Sequence, residues 1–228
     1  MDIFMDNKLL EIISKRKTAR LVETDNIVDT DIEIIKQVIL KSPSLDKRFP
    51  YKVFFLTNSD EGKLLKNQLI EYYRCHTDRV GDTWENKEIV QPILSGLTIV
   101  FVQQPTPLII DTNRELEMVS VRDITVAGTL AMLAGESLGY ATGMFGACTD
   151  PVGAATIFGG NNVTEKVRLV ITIAKKDIGL ETIFKNANNP NVVDAEEHKV
   201  FIDHNGQRPF TFVLKHRWLP ITTEISTI

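Results

Sequence analysis

Two apolar rhythms alternate along this chain, one helical and one of strand length. In residues 7–15, Leu9, Leu10, Ile12 and Ile13 recur at near-helical spacing. A basic run, Lys15-Arg16-Lys17 followed by Thr18 and Arg20, comes at the end of that stretch, where cations suit the negative pole of a helix dipole. A second helix is predicted from Asp29 or Thr30 to about Leu40, with Ile32, Ile35, Val38 and Ile39 inside. Thr30 and Glu33 stand at capping-box spacing, and Ser42-Pro43-Ser44 stops the helix, because proline removes a donor and restricts its neighbour. Residues 51–57 (YKVFFLT) read as a core strand. Residues 60–73 read as a helix with Leu64, Leu65, Leu69 and Ile70 inside. Residues 74–88 are polar and irregular around Trp84. Residues 89–94 suit a short helix with Pro92 in its first turn. Residues 97–102 (LTIVFV) form a second buried strand, and 103–112 a loop or edge.

The most legible helix is predicted over 121–139. Asp123 falls in its first turn, and Ile124, Ala127, Leu130, Ala131, Ala134 and Leu138 share one face. With Gly128 and Gly135 among them, much of its surface is small, so another backbone can approach closely and the helix belongs at the centre of the fold. Residues 140–146 (YATGMFG) suggest a short strand entering a glycine loop, 147–160 a helical turn, and 166–174 (KVRLVITIA) a third strand. Residues 198–214 read as a hairpin turning at Asn205-Gly206, and Lys215-His216-Arg217 follows. Helices and strands are interspersed without one helix between each pair of strands, which favours α+β over a doubly wound sheet.

Composition narrows the class. At 228 residues, with 43% hydrophobic and 25% charged positions, the chain has ample apolar surface for one folded domain spanning 1–228. Thirteen glycines, nine prolines and two cysteines exclude collagenous, low-complexity and disulfide-scaffold classes. The net charge of −4 argues against a nucleic-acid partner. The N-terminal residues lack a secretory layout, and no uninterrupted run approaches the roughly 18 apolar residues of a spanning helix. A cytoplasmic protein without a membrane partner is expected, with Cys75 and Cys148 as free thiols. The four histidines show no metal-ligand spacing.

Three short motifs carry candidate chemistry, and each has a plainer alternative. Arg16, Lys17, Thr18 and Arg20, with the distant pair Lys215 and Arg217, suit a phosphate group, or a solvated charged surface. Ser42-Pro43-Ser44 presents hydroxyls and backbone groups that suit the polar edge of a planar heterocycle, or simply ends a helix. Gly143 to Gly146 lets backbone approach a ligand and offer an N–H, or makes a tight turn. Neither a dinucleotide-binding glycine fingerprint nor a phosphate-loop motif is present.

The order of these motifs resembles the nitroreductase family of FMN-dependent NAD(P)H oxidoreductases. The family opens on a helix ending in R-R-S-x-R/K, here Arg16-Lys17-Thr18-Ala19-Arg20. A helix ending in S-P-S follows, here Ser42-Pro43-Ser44, then a strand and a long small-residue helix closing on Leu138-Gly139. A glycine loop, Phe145-Gly146, and a terminal basic element, Lys215-His216-Arg217, complete the order. The resemblance implies a mixed, largely antiparallel sheet flanked by helices, with the small-residue helix central. It implies an FMN-binding homodimer with the flavin at the interface. Arg16, Lys17 and Thr18 would meet the phosphate or ribityl chain, and Arg20 the pyrimidine edge. Ser42, Pro43 and Ser44 belong to the family's ring-contacting motif, with Pro43 and Ser44 reaching the ring of the partner's flavin. Asn86 would meet the flavin polar edge, Phe145-Gly146 would bring a backbone N–H towards N5, and Lys215 and Arg217 would close on the phosphate.

The sequence also departs from the family. Where members continue S-P-S into N-x-Q-P-W, this chain has Lys47-Arg48-Phe49-Pro50-Tyr51, and Phe145 replaces an acidic residue before the loop glycine. Residues 175–214 are an atypical insertion, and 218–228 a tail suited to reaching across a partner. The implied activity is reduction of nitroaromatic, quinone or similar electron-poor acceptors by NAD(P)H in ping-pong hydride transfer. The alternative is a non-enzymatic dimeric flavin-binding or regulatory protein on a decayed scaffold.

Overall fold

The computed structural model describes residues 8–16, 22–44, 50–74, 90–104, 113–146, 148, 150–160 and 164–176. Along the chain these form α1 (Lys8–Lys15), α2 (Asp29–Leu40), β1 (Tyr51–Leu56), α3 (Asp60–Arg74), α4 (Gln91–Leu94), β2 (Leu97–Gln103), α5 (Asn113–Ser137), β3 (Ala141–Phe145), α6 (Pro151–Thr156) and β4 (Lys166–Ala174). The expected hairpin at 198–214, the tail and the stretch around Trp84 lie outside the described residues.

The strands form a four-stranded sheet in the order β1-β2-β4-β3, and every neighbouring pair is antiparallel. The α+β, antiparallel expectation holds. Alternation along a strand sends successive side chains to opposite faces. Leu97, Ile99 and Phe101 of β2 enter one core, while Val100 and Val102 enter the other. Both faces are covered, so β2 reads as one continuous apolar run. In β4, Leu169, Ile171 and Ile173 join the first core, and Val167 and Val170 join the second. The three-residue step between those two valines comes from an irregularity in register, where Phe101 pairs with Leu169 but Val102 with Val167.

Helices α2 and α5 cover the first face through Ile32, Ile35, Ile39, Ile124, Ala127 and Ala131. Helix α5 lies close to the strands because two positions lack a side chain. A Cβ on Gly128 would stand 2.3 Å from Leu169 Cδ2, and one on Gly135 would stand 3.0 Å from Thr142 Cγ2. The small-residue helix is therefore central, as its composition implies. It begins at Asn113, earlier than the predicted 121, so Asp123 sits inside the helix and not in its first turn. Within it, Glu117–Ser137 is long and apolar enough to cross a membrane by length and composition. That apolarity is used in packing on the sheet.

Helices α3, α4 and α6 cover the second face, with Leu69, Ile70, Tyr73, Ile93, Ala154 and Ala155 inside. Leu64 departs from expectation: it is 59% exposed. The stripe on α3 runs through Gly62, Lys66, Leu69, Ile70 and Tyr73, which rotates Leu64 outward. The capping box on α2 does not form either. Val28 is the N-cap, without a side-chain bond, and its carbonyl accepts from the Asp31 and Ile32 amides. Asp31 instead accepts from the Tyr140 hydroxyl at 2.6 Å, tying α2 to the exit of α5.

Candidate functional site

The sequence-predicted residues that the structure describes fall around α5 and one end of the sheet. Arg16 follows directly on α1, and its Nη1 lies 3.9 Å from the Met132 sulfur of α5. The guanidinium is half-buried against the central helix. Ser44 meets the same helix further towards its N-terminus, donating to Asp123 Oδ2 at 3.0 Å. At 1.5 Å per residue, the two contacts stand about 14 Å apart along α5.

The three residues of Ser42-Pro43-Ser44 have separate environments. Ser42 is buried. Its hydroxyl donates to the Ile39 carbonyl at 2.7 Å and shares a bond of 3.2 Å with the Tyr51 hydroxyl. Those bonds finish α2 and seat it on β1, so this hydroxyl faces inward. Burial pushes the Tyr51 phenol above its ordinary value, against the Ser42 bond that lowers it. Pro43 is exposed and Ser44 half-buried.

The glycine loop begins where β3 ends. Phe145 points into the second core, 8% exposed, with its ring edge-on to Tyr73 at 6.4 Å between centroids. Gly146 is exposed, and a Cβ there would meet nothing within 4 Å. Phe145 pairs with Val170, midway along β4, so the chain leaves β3 at Gly146 heading towards the end of the sheet where β4 begins. Cys148 follows; burial first and Asp150 second push its thiol up to about 11, so it is not a ready nucleophile.

The same end of the sheet holds a polar cluster that the sequence reading missed. Arg168 Nε donates to Gln103 Oε1 at 2.6 Å, and its Nη2 donates to Glu117 Oε1. Lys166 Nζ donates to the same Glu117 oxygen at 3.0 Å. The Lys166 bond is the main cause holding the Glu117 carboxyl below its ordinary value. Alternate cations opening an otherwise apolar strand were a usable signal, but Glu117 lay outside the predicted helix. Lys66 was missed too, although it stands on the apolar stripe of α3. It is fully buried, and burial, aided by repulsion from Lys63, pushes its ammonium down to about 8.

Lys17, Thr18, Arg20, Asn86, Lys215 and Arg217 lie outside the described residues.

By sequence, the chain matches no protein-family model and no curated protein. By structure, it is similar to a nitroreductase family protein from Clostridium novyi NT. That pair shares 17% identity at a TM-score of 0.56, over 76% of this chain and 87% of the other. The chain has the nitroreductase fold. A nitroreductase with bound FMN from Bacteroides fragilis is similar at 16% identity and a TM-score of 0.56, over 76% of this chain and 90% of that one. An NADPH:FMN oxidoreductase from Vibrio harveyi, complexed with NAD+, is similar at 17% identity and a TM-score of 0.57. There the match covers 75% of this chain and 70% of the other. The expected fold is thus found at only 16–17% sequence identity to these structures.

Proposed function

We propose that this chain is an FMN-dependent oxidoreductase, in which NAD(P)H reduces a nitroaromatic, quinone or similar electron-poor acceptor by ping-pong hydride transfer. The observation that carries this reading is the nitroreductase fold with an open, exposed Gly146 at the exit of β3. The residues fit the group in two respects. Gly146 leaves room for a planar ring to approach backbone, and the half-buried Arg16 guanidinium offers a fork for phosphate oxygens.

When bound, FMN supplies the hydride chemistry, and the protein orients it and tunes its electrostatics. Arg16, Lys17 and Thr18 would hold the phosphate and ribityl chain, and Lys215 and Arg217 would serve the phosphate. Arg20 would supply a positive charge for the pyrimidine edge, and Asn86 would bond the polar edge. Gly146 would offer its N–H to the ring, while Phe145 anchors the loop in the second core. Pro43 and Ser44 would reach the ring of the partner's flavin, and Ser42 supports that turn from inside. A homodimer is further supported by exposed apolar residues on two adjoining helices. Leu9 and Ile13 of α1 and Met118, Val121 and Val126 of α5 all reach solvent.

Fluorescence titration with FMN should show about one site per chain, and anaerobic NADH or NADPH should bleach the bound flavin. Arg16→Ala combined with Arg217→Ala should abolish FMN retention in a folded protein. Protein that binds no FMN overturns the reading, and flavin that neither nucleotide bleaches leaves a binding protein without the enzyme.

A further inference from the structure

Asp123 stands where its helix has no local use for it. Helix α5 starts at Asn113, so the carboxylate lies about three turns in. The positive pole of a helix acts within the first turn only, and aspartate is a poor helix former in an interior position. This one is also half-buried. Lys66, another charged side chain in an unexpected place, makes its bonds within the second face, to Asn58 Oδ1 at 2.7 Å and to the Gly96 carbonyl at 2.8 Å. Asp123 instead accepts from a residue of the candidate site, the Ser44 hydroxyl, at 3.0 Å.

That bond completes a pair of anchors around Pro43. On one side Ser42 is tied to the Ile39 carbonyl and the Tyr51 hydroxyl, and on the other Ser44 is tied to α5. Burial raises the Tyr51 phenol most, and the Asp123 charge adds to it, so one carboxylate acts on both anchors. Pro43 between them is exposed, and its ring fixes its own φ. An exposed residue whose two neighbours are bonded to different elements, β1 and α5, is pre-organised, so little freedom is lost when a ligand meets it. A carboxylate only accepts, which gives the Ser44 hydroxyl a set direction towards the helix.

We propose that Asp123 is a positioning residue for the contact of Pro43 and Ser44 with the flavin ring: from the central helix it fixes Ser44, and together with the Ser42 anchor it holds Pro43 outward. This inference rests on the FMN reading for its ligand. The anchoring bonds themselves lie within one chain.

A double-mutant cycle on the full-length chain tests it, read by the FMN dissociation constant and by the visible absorption band of the bound flavin. Asp123→Ala should weaken FMN binding about fivefold, the scale of one hydrogen bond, and shift the band. Ser44→Ala should weaken binding at least as much, and the double variant should match Ser44→Ala, because both changes remove the same bond. Asp123→Asn keeps an acceptor oxygen and should restore the wild-type affinity and band. Arg122→Ala, at the exposed neighbouring position on α5, should change neither. Without flavin, hydrogen exchange over residues 41–44 reads the anchor itself, and Asp123→Ala should speed it while β1 stays protected. Losses that add in the double variant overturn the proposal, as do a failure of Asp123→Asn to restore binding, or wild-type exchange or affinity in Asp123→Ala. If the wild type takes up no FMN, the functional reading fails and this role fails with it. If the wild type binds FMN and the variants bind it equally well, the role alone fails.

Discussion

The two faces of the sheet are sealed by opposite means. Under α2 and α5 the core is mainly apolar, with small hydroxyls such as Ser42 and Thr142 at its edge, and closeness comes from what is missing: Gly128 and Gly135 let the helix approach the strands. Under α3, α4 and α6 the cover is looser in composition and includes Lys66, held by turn groups at two points. A long helix with small residues can be laid on a sheet by dispersion and area alone. Three separate helices, two of them short, leave backbone groups at their ends, and a multi-donor side chain ties turns beside those ends together. Among the described predicted residues, Arg16, Ser42 and Ser44 meet the first face, while Phe145 enters the second, which also carries the polar tie.

The largest expected effect strikes the second face. A Cβ at Gly96 would lie 2.3 Å from the Ile173 carbonyl oxygen, and the residue has a φ of +47°. Gly96→Ala therefore meets backbone that cannot move aside, and also disturbs the carbonyl that receives Lys66. A loss of about 4 kcal/mol is expected, from strain plus overpacking, seen as a lower urea midpoint with an unchanged slope. A wild-type midpoint would mean that the turn relaxes freely.

The next effect is the titration of Lys66. Its folded-state value of about 8 lies below the ordinary 10.5. Between those values the unfolded chain holds a proton that the folded chain does not, so stability rises with pH. The rise is up to about 3 kcal/mol across that window. Cys148 opposes it: its thiol stays protonated in the fold up to about 11 instead of 9, which lowers stability over that range. Subtracting Lys66→Met isolates the lysine. The stability difference, wild type minus variant, should grow as pH rises from 8 to 10.5, and a flat difference would show that the buried amine is not destabilised as a cation.

The smallest effect tests the first face. In Gly135→Ala the new methyl stands 3.0 Å from Thr142 Cγ2 and 3.1 Å from Ile173 Cδ1. Alanine gains about 1 kcal/mol of helix propensity, while overpacking costs about 1–3 kcal/mol. A net loss near 1 kcal/mol should appear in thermal melts. A gain would mean that α5 rides above the sheet with room to spare.

Much of this architecture was legible in the linear pattern. Residues 166–174 appeared as a strand with both ends right, and α1, α2, β1 and β2 differed by a residue at an end. These are segments where period and burial agree, so local and tertiary preferences coincide. The start of α5 was less legible, because 113–120 carry more polar residues and present less of an apolar stripe. The capping box failed because the helix starts at Asp29 with Val28 as its N-cap, which puts Thr30 inside the helix and leaves the Val28 carbonyl to accept from the Asp31 and Ile32 amides. Leu64 misled because hydrophobicity was read one residue at a time; the stripe that counts includes a lysine.

At the candidate site, sequence order alone selected Arg16, Ser42, Ser44 and Gly146 by type and spacing. It did not separate their roles. Two serines flank one proline, yet one bonds inward to Ile39 and Tyr51 while the other crosses to Asp123. That distinction depends on how α2 lies against β1 and α5.

By itself the sequence determined what short-range physics can decide: the placing of most elements, the small-residue character of the central helix, and the α+β class. Tertiary structure alone decided the strand order β1-β2-β4-β3, the burial of Lys66, and the meeting of Glu117 with Lys166 and Arg168. Each of these joins residues far apart in the chain. Periodicity reports which side of an element is apolar, but carries no information on which distant element covers it. A charged side chain joins a core only when the surrounding fold brings acceptors to it.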